Sequence, residues 1–577
     1  MAYEDHTSSE LAEMLKQRGL VSSGNKKERI SRLIESDSSG LIGTELAGLE
    51  RFQNKFPWAT TPVIAVVAVL LIGGSVSAFI YSDEILSIFE GEPSYDLIDF
   101  DPTQARAFAE GLVALGHPQW QGRMSGTQEE HNAAQSNFDN FTSFGLSATM
   151  DSFAVPMFEI QDEPRLSICS PGNSPLGGLA PCSPPDLIAG GSETEFVHRE
   201  EFVIQGYSGT ADIRYQDQTG VTDLGNGSAE QNWSNAAHTI GLVYGQGGVT
   251  SNTDIFLLAQ ANDLAGLILV TYAPDPENPP NNCKIPGENG RCVPYFKSVD
   301  TSRFENFPDG IPFIMVSDNV GNDILDRVGN GDDLIALYTD VDNQGDRNVR
   351  VPCGVLPGET EEEIIFGGHH DTVYSGPGAV DDTSGTATVL ELARQFAKLG
   401  EELGEPKYTI KFCTWGGEEE GLHGSKAYVS QYQPSLQENL RLYINLDMNH
   451  VDIDLENRGN GLWMFGNDAR DTKHIRGIVN TFESENPMGL ADKYNINVDT
   501  LDGPKNGPDG MPYNSDHGPF VYDIQREEGD DPGRAIVCYG SGSWEYHTFH
   551  DDMDRFNEES LAVSGIIYGT YAAWLSW

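Results

Sequence analysis

Positive charge is scarce in this chain. Lysine and arginine supply 35 of the 577 residues, aspartate and glutamate 88, and the formal net charge is −53. Such a surface repels phosphate backbones, which argues against nucleic-acid binding by the bulk of the chain; it suits a saline exterior. The first 56 residues hold 8 basic and 9 acidic side chains, so almost all of the negative excess lies beyond them. Cysteine is also sparse, with seven residues, an odd number. None shows the spacing of a thiolate zinc site. Cys169 and Cys182 lie close together in Pro- and Gly-containing loops, as do Cys283 and Cys292, and each pair is expected to form a local disulfide outside the cell. Cys413 and Cys538 fall inside strand-like runs and read as buried thiols, while Cys353 is undecided.

The run from Phe56 to Ser82 carries no charge, and Val63 to Ile72 is almost wholly aliphatic. It is long enough to span a bilayer, and Trp58 and Tyr81 sit where interfacial aromatics belong. Arg51 and Lys55 precede it, and Asp83 and Glu84 follow. This asymmetry predicts a cytoplasmic N-terminus and an extracellular C-terminal part on the cell membrane. The run begins too far from Met1 for an ordinary cleaved signal peptide, although the small residues near Ala78 would permit shedding. Sequons at Asn140, Asn226 and Asn232 fit an exterior location.

The chemistry gathers between Glu361 and Arg394. The apolar stretch Ile364–Phe366 reads as a buried strand, followed by His369, His370 and Asp371. A loop with Gly376, Pro377 and Gly378 leads to Asp381 and Asp382, and from Ser384 the spacing of Val389, Leu390, Leu392 and Ala393 predicts a helix. The arrangement recurs downstream. The run "YTIKFCTW" precedes Glu418, Glu419 and Glu420; "LRLYINL" precedes Asp447; "RAIVCYG" precedes His547. Four strands that each deliver an imidazole or carboxylate at the same end place these groups on one edge of a parallel sheet, where α/β folds bind ligands. Histidine with several carboxylates is the donor set of a metal site.

In order, the chain reads "HHD", "PGAVDDTSG", "EEEGLHGS", "NLDMN", "SDHGPF" and "YHT". This series resembles the co-catalytic di-zinc exopeptidases, the family of bacterial leucyl aminopeptidase, aminopeptidase Y and glutamate carboxypeptidase II, from about Asp99 to the C-terminus. The resemblance implies an α/β fold with a mixed, mostly parallel central sheet, helices on both faces and an inserted β-rich protease-associated domain. It implies two zinc ions: Asp381 bridges them, His369 and Asp447 complete one, and Glu419 and His547 the other. Glu418 becomes the general base, Asp371 orients His369 and Tyr546 steadies the oxyanion. Taking the motif as E-E-x-G-L makes Glu420 the variable position; a shift by one would make Glu419 the base and Glu420 the ligand.

The domain reading follows. Residues 1–40 form a helix-loop-helix resembling the SAP type, with Leu11, Met14 and Leu15 lining one helix and Ile30, Leu33 and Ile34 the other. Lys16, Arg18, Lys26, Lys27 and Arg29 lie on its exposed faces. Such modules often bind nucleic acid; near-neutral charge slightly favours a small interaction or anchoring module instead. A linker (41–56) and a transmembrane helix (57–82) follow. The catalytic domain occupies 83–184 and 351–577. A protease-associated-like insertion fills 185–350, serving as a lid or substrate-access wall or as a decoration without effect. Expected partners are peptide substrates, the membrane through one helix, and a nucleic acid or protein at residues 7–36; a homodimer is admitted. The expected function is a membrane-anchored exopeptidase outside the cell, first an aminopeptidase. The alternatives are a glutamate-carboxypeptidase-like enzyme and a catalytically dead receptor-like ectodomain.

Overall fold

The computed structural model describes residues 15–16, 93–173, 179–180, 182, 191–244, 251–271, 292–304, 310–453, 459–525, 531–542 and 545–577. The transmembrane helix expected at 57–82 lies outside them, as does all of the SAP-like module but Leu15 and Lys16. Among the described residues no helix is long and apolar enough to cross a membrane. The chain divides into two units, 1–94 and 95–577, and the second holds everything below.

Its centre is an eight-stranded sheet. The strands are β1 (Ser147–Pro156), β2 (Asp346–Leu356), β3 (Thr360–His369), β4 (Tyr408–Trp415), β5 (Leu440–Leu446), β6 (Gly461–Gly466), β7 (Asn495–Thr500) and β8 (Ala535–Tyr539). They lie in the order β1-β2-β4-β3-β5-β8-β6-β7. The four central strands β4, β3, β5 and β8 run parallel, and β1 and β2 close one side antiparallel. On the other side β6 is antiparallel to β8 and parallel to β7.

Both faces of the central strands are buried, and alternate residues serve different cores. Ile364, Phe366, Ile410, Phe412, Leu442 and Ile444 face one way. There they meet α1 (Pro102–Val113), α2 (Gln128–Ser143), α3 (Thr383–Leu403), α5 (Ala469–Glu485) and α6 (Glu558–Ser576). Ile365, Cys413, Trp415, Tyr443 and Val537 face the other way, against α4 (His423–Asn439) and Phe520, Val521 and Ile524. The helices start where side chains cap them: Asp101 accepts from the Thr103 and Gln104 amides with Pro102 in the first turn, Thr127 caps α2, and Asp468 caps α5. This is the mixed α/β sheet with helices on both faces that the family resemblance implies.

One expectation needs correction. Cys413 is not a buried thiol: it is bonded to Cys353, and the two face each other across the antiparallel pair β2–β4 with Cα atoms 4.1 Å apart. Opposed positions of antiparallel strands bring Cβ atoms within disulfide reach. The 60-residue separation hid that pairing. Cys169–Cys182 forms as expected, and Cys538 is buried and free. Cys292 is disulfide-bonded, while its expected partner Cys283 lies outside the described residues.

Between β1 and β2 the described residues build two larger sheets, besides two two-stranded ones. Val221–Asp223, Ile240–Tyr244, Gly266–Val270 and Phe313–Val316 run parallel, with Phe202–Ile204 antiparallel at the edge. The second sheet is antiparallel and consists of Ser192–Phe196, Arg165–Ser170, Leu334–Thr339 and Ala211–Ile213. Its strand Arg165–Ser170 precedes residue 185, where the sequence texture changes.

Candidate metal centre

The central strands end on one edge of the sheet. β3 ends at His369, Asp447 follows β5 directly, and Glu418 and Glu419 follow β4. Asp381 arrives on the loop into α3, and His547 on the loop after β8. Their donor atoms form two overlapping sets, His369–Asp381–Asp447 and Asp381–Glu419–His547, with the atoms of each set within 4.8 Å of one another. Asp381 faces both histidines: Oδ1 lies 3.2 Å from His369 Nε2, and Oδ2 lies 3.0 Å from His547 Nε2. Glu419 Oε2 lies 2.8 Å from the same His547 nitrogen.

The three consecutive glutamates separate by orientation. Glu419 joins a donor set and Glu418 stands beside them, its Oε2 3.8 Å from His369 Nε2 and its side chain 13% exposed. Glu420 turns inward and is bonded to the Ser125 hydroxyl. The adjacent histidines split likewise. His370 points away from the donor sets, between Thr414 Oγ1 and Glu130 Oε1, each 3.0 Å away.

The ring of His369 is held from behind. Its Nδ1 lies 3.1 Å from the Asp371 carbonyl and 3.5 Å from the Asp371 carboxylate, so the backbone oxygen is the closer partner. The other Asp371 oxygen accepts from Ser125 Oγ at 2.8 Å and from the Glu419 amide at 3.2 Å. His547 Nδ1 faces the carbonyl of Phe296 at 2.8 Å. In both rings a carbonyl at Nδ1 favours the tautomer that leaves Nε2 free as a ligand.

Other residues fix the loop, and sequence reasoning assigned them no role. Asp382 caps α3 by accepting from the Gly385 amide at 2.9 Å, and also accepts from His369 N at 3.0 Å and Met448 N at 2.8 Å. Residue 385 must be glycine, because a Cβ there would lie 2.1 Å from the Leu446 carbonyl. Asp551 accepts from the amides of Val380 (2.8 Å) and Asp381 (3.0 Å). The buried Arg123 donates to His370 O at 3.0 Å, Pro377 O at 2.9 Å and Thr383 Oγ1 at 2.6 Å. Arg123 lies between α1 and α2, and Asp551 lies four residues past His547. Neither position carries a local signal that it reaches this loop.

The site holds more buried negative charge than its side chains neutralise. Burial, then Asp447, Asp516 and Glu419, hold Glu418 well above the usual carboxylate range. Asp447 is pushed up to about 6 by burial and Asp381, and Asp516 to about 7 by burial and the carboxylates of Asp371 and Asp447. Burial lowers the histidines, but Glu418, Asp371 and Asp381 hold His369 well above its ordinary value, and Glu419 and Asp381 bring His547 up to about 9. Burial would raise Asp381, yet the two imidazoles hold it low. Among the described residues Glu419 Oε1 is buried without a hydrogen-bond partner. Facing carboxylates and imidazole Nε2 atoms with surplus negative charge are what a divalent cation satisfies, and this O/N set suits zinc.

Part of the chain is similar to known peptidases. Residues 353–571 match the model of Peptidase family M28. The fold is that of solved zinc aminopeptidases. A zinc aminopeptidase from Bacillus subtilis overlays with a TM-score of 0.56 at 16% identity, covering 83% of this chain and 96% of that one. An aminopeptidase from Aneurinibacillus sp. strain AM-1 overlays at 0.52 and 18% identity, with 83% and 94% covered. In sequence, an "Aminopeptidase" of Pseudomonas aeruginosa is 31% identical over 144 residues, 25% of this chain and 25% of the relative. A "Probable glutamate carboxypeptidase" of Arthroderma benhamiae is 37% identical over 95 residues, 16% of this chain and 13% of the relative. The chain thus spans a quarter or less of these two relatives.

Proposed function

We propose that this protein is a zinc-dependent exopeptidase with two metal ions, and that it removes residues from the N-terminus of peptides. The observation that carries the reading is the pair of donor sets joined through Asp381, with Glu418 beside them and outside both. His369, Asp381 and Asp447 would hold one ion, and Asp381, Glu419 and His547 the other. Bound there, zinc supplies Lewis acidity toward a peptide carbonyl and toward water, whose pKa it lowers toward about 7.

The chain's own groups supply the rest. Glu418 stands within one side chain's reach of the donor sets without joining them, the place required of a group that takes the proton from the attacking water. Burial and neighbouring carboxylates raise its pKa, so once protonated it is a competent donor to the leaving amine nitrogen. The Tyr546 hydroxyl is near enough to Asp381, Glu419 and Glu418 for burial and then their charges to hold its pKa well above the ordinary value, and it would donate to the oxyanion. Asp371 holds His369 and the Glu419 amide in register.

The N-terminal preference rests on the names of the relatives: the Pseudomonas protein and both solved structures above are aminopeptidases. The glutamate carboxypeptidase match motivates the alternative of trimming from the C-terminus. A peptide-library digest read by mass spectrometry separates the cases. Loss of N-terminal residues supports the proposal, and loss from the C-terminus alone establishes the alternative. No cleavage with metal bound would favour a receptor-like role. The proposal includes anchoring through residues 57–82 with the catalytic part outside the cell, and the disulfides Cys169–Cys182 and Cys353–Cys413 suit that oxidising side. Protease added to intact cells should degrade the C-terminal part and spare an epitope near Ser8; the reverse would overturn this topology.

A further inference from the structure

Among its described residues the insertion between β1 and β2 adds nothing to either donor set, yet one of its segments reaches them. Residues Tyr295, Phe296 and Lys297 run along the loop that bears Tyr546 and His547. The Phe296 amide donates to the His547 carbonyl at 3.0 Å, and His547 Nδ1 lies 2.8 Å from the Phe296 carbonyl. This segment therefore supplies the partner of one proposed ligand's ring. One residue on, the ammonium of Lys297 lies 2.7 Å from the Tyr546 hydroxyl and 4.6 Å from that ring's centre.

The segment is fixed to the inserted five-stranded sheet. Fully buried Gln205, next to Phe202–Ile204, accepts from the Lys297 amide at 3.0 Å and donates to the Tyr295 carbonyl at 3.0 Å. The Gly206 amide donates to the Lys297 carbonyl at 3.0 Å. A Cβ at Gly206 would come within 2.8 Å of Ser298, so the close approach requires glycine. The side chain of Phe296 is fully buried, stacked on Phe158 and edge-on to Tyr374.

We infer that Lys297 is a positioning residue for the reaction, and that the insertion thereby completes the active site of the exopeptidase proposed above. The argument is one of hydrogen-bond direction. An ammonium only donates, so Lys297 occupies a lone pair of the Tyr546 oxygen and leaves the phenolic hydrogen to be given elsewhere. That hydrogen is then directed to the oxygen of the substrate carbonyl as it gains negative charge. A donor chain from ammonium to phenol to oxyanion is cooperative, and the positive charge at its far end strengthens it. The contribution arises as charge develops, so it belongs in kcat and not in ground-state affinity.

The inference rests on the exopeptidase reading, and the test separates the two. Wild type, Lys297→Met, Lys297→Arg, Tyr546→Phe and the Lys297→Met/Tyr546→Phe double variant are assayed for kcat, KM and metal content. Removing one oxyanion donor typically costs about 10²–10³ in kcat, and an indirect donor is expected to cost about tenfold or more. Lys297→Met should therefore lose about tenfold in kcat, with KM and metal content near wild type and Lys297→Arg recovering most of the loss. In the Tyr546→Phe background the same substitution should cost less than about twofold, because the chain is already broken. Unchanged kcat in Lys297→Met, an equal loss in both backgrounds, or a loss explained by lower metal content would overturn the inference. A wild-type enzyme that cleaves no peptide would overturn the exopeptidase reading itself, and this one with it.

Discussion

Three adjacent glutamates with one chemistry and three surroundings give the sharpest test of the site. Glu419 lies in a donor set 2.8 Å from His547 Nε2. Glu418 stands beside the sets, and Glu420 is buried against Ser125. Each is changed to glutamine, which keeps the shape and removes the charge. In Glu418→Gln the proposed base is lost and no proposed ligand is: kcat should fall by about 10²–10⁴, equivalent to roughly 3–5 kcal/mol of transition-state stabilisation, with KM little changed and metal retained. In Glu419→Gln a proposed anionic ligand becomes a neutral amide, so metal content should fall together with activity. Burial and Asp371 hold the Glu420 carboxyl well above the usual range, so a neutral amide replaces it with little electrostatic change, and Glu420→Gln should retain metal and most activity. Elemental analysis and steady-state kinetics on a leucyl anilide read all three. Metal loss in Glu420→Gln with metal kept in Glu419→Gln would show the register to be shifted by one residue.

Asp381→Ala should remove both ions and not one, because Asp381 belongs to both donor sets; a variant holding one ion at full occupancy would refute the shared role. Arg123→Met should lose about 3–5 kcal/mol in chemical denaturation, since it leaves Asp371, Asp382 and Asp551 without that charge and removes the donor to His370 O, Pro377 O and Thr383 Oγ1. The pH dependence has a definite sign. His547 (about 9), Asp447 (about 6) and Asp516 (about 7) all have folded values above their ordinary ones. Their protonated forms stabilise the metal-free protein below the ordinary values, and this is lost as pH rises through the folded ones. Metal binding requires the deprotonated ligands, so the Tm gap between zinc-loaded and chelator-treated protein should widen from about pH 6 to about pH 9. A constant or narrowing gap in calorimetry would count against His547 and Asp447 as ligands. Finally, Cys413→Ala should lower stability by about 2–4 kcal/mol under oxidising conditions and change little under reducing ones.

What lay within one strand and its following loop was legible in the sequence. Runs of β-branched and aromatic residues ending in a histidine or carboxylate announced β3, β4, β5 and β8, and their parallel alignment made the edge carrying the candidate ligands predictable. The spacing after Ser384 announced α3 because one helix face must be apolar. Separating the jobs of Glu418, Glu419 and Glu420 needed the family motif as well, since three identical side chains carry no information about which way each turns.

What depends on contacts between distant segments was decided only by the tertiary structure. The disulfide Cys353–Cys413 exists because β2 and β4 are neighbours in antiparallel register, and a pairing across 60 residues leaves no local trace. Arg123 grips the metal loop from more than 240 residues away, and Asp551 holds the Asp381 amide from the far end of the chain. The inserted segment showed no chemistry in its sequence, because Phe296 acts through its backbone and Lys297 through a tyrosine some 250 residues on. Side-chain type and period are properties of a short stretch of chain. Which donor meets which acceptor is a property of the order in which the strands pack.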